Sequence, residues 1–113
     1  NGQWRFKSGD NTEEGTYLLG LRDGEWKAVY PNGKLRFKGE YRQGNPEGRH
    51  VIYYENGRIK EERYYKNGLR TKTWKKYNEE GDIILTVTYR DDVEVNINGV
   101  SINLPESGVK RIN

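Results

Sequence analysis

Side chains along residues 24–47 alternate with a period of two in two short runs. Trp26, Ala28 and Tyr30 share one phase of the first run, and Leu35, Phe37, Gly39 and Tyr41 share one phase of the second. Such alternation marks strands with one apolar face. Between the runs sits Asn32-Gly33, a dipeptide that tolerates the positive φ of a tight turn, so the stretch predicts a β-hairpin. The next copy starts at Gly48, places His50 in the slot of Trp26, and continues with Tyr54, Asn56-Gly57, Ile59, Tyr65 and Gly68. A third copy carries Trp74, Gly81, Ile83 and Tyr89.

The step between copies is 24 residues: Tyr17, Tyr41, Tyr65 and Tyr89 keep it, as do Gly9, Gly33, Gly57 and Gly81 and the trio Phe6, Tyr30 and Tyr54. A fixed period of this length predicts a repeat architecture. Terminal copies of stacked arrays are commonly degenerate, and here Asn11 holds the Leu35 slot while Lys72 and Asp92 replace glycines. Tyr77 follows Trp74 by three residues instead of four, which predicts a bulge or a one-residue shift. Val93, Val95 and Ile97, then Asn98-Gly99, then Val100, Ile102 and Leu104 predict a different hairpin, ended by Pro105, that caps the open sheet edge.

The expected fold is all-β: an elongated antiparallel meander of about four 24-residue β-hairpin repeats with a C-terminal capping hairpin. One repeat domain spans 1–113, divided into a partial repeat 1–23, repeats 24–47, 48–71 and 72–92, and a cap and tail 93–113. No window sustains a helical period, and 14 glycines oppose long helices.

Composition narrows the source of stability. Only 32% of the residues are hydrophobic and the mean hydropathy is −1.14, so the 14 aromatics must supply much of the core. The absence of cysteine excludes disulfides and thiolate metal sites. No stretch approaches the roughly 18 apolar residues of a membrane-crossing helix, as expected of a soluble chain. The chain opens at Asn1 rather than Met, as a trimmed or processed product would, which leaves cytoplasmic and exported settings open.

The stretch from Phe37 to Gly57 resembles a MORN repeat, with Gly39, Tyr41, Gly44, Gly48, Tyr54, Asn56 and Gly57 at its signature positions. The resemblance covers about Phe6 to Tyr89, and in detail it is similar to the bacterial variant in YwqK-family antitoxin repeat proteins. That resemblance implies a protein that binds and neutralises a partner.

The residues themselves offer little catalytic chemistry. His50 is the single histidine, but it fills a slot held by Trp26 and Trp74 in the neighbouring copies, which favours packing over acid-base work. Without cysteine or a second histidine a transition-metal site lacks ligands, and no cofactor is expected. The pairs Glu13-Glu14, Glu61-Glu62, Glu79-Glu80 and Asp91-Asp92 read as solvated groups in turns or on polar strand faces. A glycosidase-like carboxylate pair needs a cleft that a thin sheet does not provide, so no enzyme and no small-molecule substrate are expected.

Two features remain after the periodic residues are set aside. From Arg58 to Lys76, eight basic residues face Glu61 and Glu62, a net +6, whereas Tyr77 to Val95 sets Arg90 against six acids, a net −5. The basic run could dock an anionic lipid or nucleic-acid surface, the secondary expectation for a partner. The primary one is a protein. Tyr53 and Tyr64 lie one residue out of phase with the ladder, and alternation aims them at the opposite face together with Val29, Arg36, Lys38, Val51, Lys60 and Lys75. Tyrosine and valine ringed by lysine and arginine is the composition of a protein-binding patch.

Overall fold

The computed structural model describes residues 2–8, 11–98 and 100–101. They form one antiparallel sheet: β1 (Gly2–Ser8), β2 (Asn11–Leu18), β3 (Leu21–Val29), β4 (Leu35–Arg42), β5 (Asn45–Tyr53), β6 (Ile59–Lys66), β7 (Leu69–Arg70), β8 (Lys72–Tyr77), β9 (Ile83–Arg90), β10 (Val93–Ile97) and β11 (Val100–Ser101). Each strand pairs with the next in sequence, except that the two-residue β7 pairs with β6 alone and β8 continues the sheet beside β6. The molecule measures 44 × 37 × 20 Å. The all-β repeat meander predicted from the alternation is the observed architecture. The hairpin of β10 and β11 is present, while Gly9, Gly99, Ile102, Leu104 and Pro105 lie outside the described residues.

Two kinds of turn alternate along the sheet. At one end, Leu19-Gly20, Gln43-Gly44, Asn67-Gly68 and Asp91-Asp92 are two-residue links in which both residues have positive φ. That geometry matches the twist of the flanking strands. At the other end the loops are five residues long, at 30–34, 54–58 and 78–82. Here the sequence expectation needs correction. At Asn32-Gly33 and Asn56-Gly57 only the glycine takes positive φ, and the asparagine does other work. Asn32 caps its own loop by accepting from Lys34 N at 2.9 Å and donates to the Glu55 carbonyl one repeat away at 3.3 Å. Asn56 repeats both contacts with Arg58 N and Glu79 O.

One face of the sheet carries an unbroken aromatic column. Tyr17, Trp26, Tyr41, His50, Tyr65, Trp74 and Tyr89 follow one another across successive strands with ring centroids 4.9–6.5 Å apart. Trp26 is 1% exposed and His50 3%. The rings lie against glycine backbone: a Cβ on Gly15 would stand 2.1 Å from the Trp26 ring, and one on Gly39 2.5 Å from His50. These glycines serve close approach rather than turning.

Candidate protein-binding face

The opposite face is built by the alternate residues of the same strands. Register places Lys27 opposite Lys38, Lys38 opposite Val51, Val51 opposite Glu62, and Glu62 opposite Lys75. Val51 is 3% exposed, so it supports this face from below and offers a partner almost no surface.

Glu62 is the centre of the face and is 9% exposed. It accepts from Arg49 Nη2 at 2.8 Å and Nε at 3.2 Å, from the Tyr77 hydroxyl at 2.5 Å and from the Tyr64 hydroxyl at 3.4 Å. Burial pushes the Glu62 carboxyl up, but Tyr77, Arg49 and Lys75 outweigh it and hold the carboxyl below its ordinary value. The same bond, aided by burial, pushes the Tyr77 phenol up to about 12. Glu62 therefore stays ionised and orients two tyrosines and an arginine.

On the column face, Glu61, also 9% exposed, grips Arg63 through two bonds of 3.0 Å. The pair sits where the preceding repeat has Phe37 and Gly39. Neither Glu61 nor Glu62 is the solvated group the sequence suggested: both are buried and paired, as buried charges must be.

Tyr53 lines a shallow groove of about 300 Å³ with Glu25, Lys38, Glu47, Arg49 and Val51. The Tyr53 carbonyl accepts from the Tyr30 hydroxyl at 2.5 Å, and Tyr54 gives the same bond to Tyr77 O at 2.6 Å. The bulge expected at Tyr77 is present, but it belongs to the other copies as well. The register break between Lys76 and Tyr77 recurs between Ala28 and Val29 and between Ile52 and Tyr53. Tyr77 is thus the counterpart of Val29 and Tyr53, and it joins the second face. A step of 24 from Tyr53 would have found it.

The remaining predicted residues divide by partner. Lys38 approaches Glu25 at 3.6 Å. Arg36 makes no ion pair among the described residues, and its Nε is buried without an acceptor. The Lys60 ammonium stands 5.7 Å from the centre of the Tyr54 ring. Val29 borders a second groove with Arg5, Thr12, Glu14 and Lys27. Within the basic run, Arg63 is tied to Glu61, Arg70 to Asp92 at 2.6 Å, and Arg58 donates to the Glu80 carbonyl. Asp92 of the acidic stretch thereby neutralises one cation of the basic run. Among the described residues no group of His, Cys, Asp and Glu is placed to hold a metal ion.

A sheet of hairpins repeating every 24 residues, with an aromatic column on one face and a charged tyrosine surface on the other, defines a β-hairpin repeat protein. Residues 22–43 and 46–67 match the family model of the MORN repeat variant. Repeats of this type commonly serve as modules that engage proteins or membranes. No curated protein matches the chain.

Proposed function

We propose that the chain is a scaffold without chemistry of its own that binds a protein through the second face around Tyr53 and Tyr64, as an antitoxin or immunity-type neutraliser would. The supporting observation is the Glu62 cluster. A carboxylate kept ionised at 9% exposure fixes Tyr64, Tyr77 and Arg49 before any partner arrives. Tyrosine and arginine are the residues that most often carry interface energy, and prior ordering lowers the entropy lost on binding. Lys38, Arg36, Lys60 and Lys75 form the polar rim.

The test is affinity capture from native extract by wild type and by Tyr53→Ala/Tyr64→Ala, each confirmed folded by its melting curve. Proteins retained by wild type and lost by the variant support the assignment; equal retention would sink it. Ligands that are nucleic acid or anionic lipid, bound equally by both and released by moderate salt, would move the function to the basic run Arg58 to Lys76.

A further inference from the structure

We propose that the second face takes an acidic, proline-rich segment of a partner in the polyproline II conformation, laid across the strands along the row Val29, Arg36, Tyr53, Lys60, Tyr77 and Ile84. The proposal rests on the protein-binding function above and names the chemistry of the partner.

The row follows from register. The pairs Phe37 with Ile52 and Glu61 with Lys76 set Arg36 beside Tyr53 and Lys60 beside Tyr77. The recurring bulges at Val29, Tyr53 and Tyr77 close the gaps with the next strand. The result alternates an apolar or aromatic side chain with a cation and ends on Ile84, which is 58% exposed. Its period is two strands, or about 9.4–9.8 Å, because adjacent strands lie about 4.7–4.9 Å apart.

A polyproline II helix has three residues per turn and rises about 3.1 Å per residue, so one of its edges repeats about every 9.3 Å. The two periods coincide. A segment with an acid at every third position sets successive carboxylates over Arg36 and Lys60, and prolines over the intervening tyrosines. Such a helix is already extended and rigid, which is why aromatic grooves recognise it at low entropic cost.

Charge favours an acidic occupant. Several other cations of this face are engaged, Arg5 with Glu14, Lys38 with Glu25 and Arg49 with Glu62. Arg36 and Lys60 carry no ion pair among the described residues, and they flank Tyr53. Nearby rows hold Glu25, Glu40 and Glu47, which repel a wide polyanion; a single peptide strand follows one row and avoids them.

The test uses fluorescence anisotropy with a labelled peptide of repeated Glu-Pro-Pro triplets. Binding is expected, weakened about tenfold by Lys60→Glu and further by adding Arg36→Glu. The doubly reversed protein, if its melt matches wild type, is expected to bind a Lys-Pro-Pro peptide instead. Absence of triplet binding overturns the proposal, as does equal binding of Glu-Pro-Pro-Pro quartets or of a proline-free acidic peptide of equal charge. If the triplet peptide fails while captured partners stay sensitive to Tyr53→Ala/Tyr64→Ala, only this inference falls. If that sensitivity is also absent, the binding face falls with it.

Discussion

His50 Nε2 lies 2.7 Å from the carbonyl oxygen of Glu40, in the place where Trp26 gives its indole N–H to Thr16 O and Trp74 gives its own to Tyr64 O. A carbonyl only accepts, so the proton sits on Nε2 and the imidazole stands in for an indole. The smaller ring has a reason. Phe37 packs 5.4 Å from it, so His50 and Phe37 share the bulk that Trp26 supplies alone. Burial lowers the His50 pKa, partly offset by the Glu40 bond, and nearby Arg63 lowers it further. The unfolded chain then takes up the proton first, so His50 adds stability above about pH 6.5 that is lost as pH falls.

His50→Phe keeps a ring and removes the donor, leaving Glu40 O without its partner. The expected cost is about 1–3 kcal/mol, together with a flatter stability profile between about pH 7 and 5. Urea titrations across that range check both; an unchanged acid slope would show that His50 is not its source.

Glu61 and Arg63 replace Phe37 and Gly39 of the preceding repeat as a unit. Arg63→Gly strands a buried carboxylate and is expected to cost about 3 kcal/mol, whereas Glu61→Gln/Arg63→Gly removes the stranded charge and should recover part of that loss. A double-mutant cycle by chemical denaturation decides. Additive losses would mean the two residues are not coupled.

Lys72 has φ 61° where Gly24 and Gly48 have 75° and 73°. A side chain in this region costs about 1–2 kcal/mol, and the Lys72 ammonium recovers part of it 5.6 Å over the Tyr64 ring. Lys72→Gly is therefore expected to stabilise the fold by about 0.5–1 kcal/mol, read as a higher denaturation midpoint. A lower midpoint would show that the ring contact outweighs the backbone strain.

Tyr77 and Glu62 set opposite limits on the pH range. The phenol, raised to about 12, keeps its proton in the fold while the unfolded chain loses it near pH 10, so stability falls as pH rises from about 10 to about 12. Glu62, held below its ordinary value, supplies stability that is lost as pH falls below about 4.3. Tyr65, raised by burial, adds to the alkaline limb, so the informative quantity is the difference between wild type and Tyr77→Phe. That difference should shrink above about pH 10; a constant offset would remove Tyr77 from the limb.

The column was legible because packing on a repeating sheet imposes its period on the sequence, and Tyr41, Trp26 and Trp74 declare it. The ionic cluster was not. Nothing local to Glu61-Glu62 reveals that Arg49 lies across the strand pair or that Tyr77 reaches Glu62, since both contacts depend on register. The spacing of Tyr77 from Trp74 signals the bulge, but only its 24-residue step from Tyr53 shows which face it joins. The asparagine turns misled for a similar reason: Asn-Gly favours a tight turn locally, but bonds from Asn32 and Asn56 to the following repeat reward a longer loop.

Oxidative footprinting of the chain with a captured partner tests the binding face most directly. The account predicts that Tyr53 and Tyr64 lose reactivity in the complex while Phe37 and Tyr89, on the column face, keep theirs. Protection of Phe37 and Tyr89 with Tyr53 and Tyr64 unchanged would contradict it.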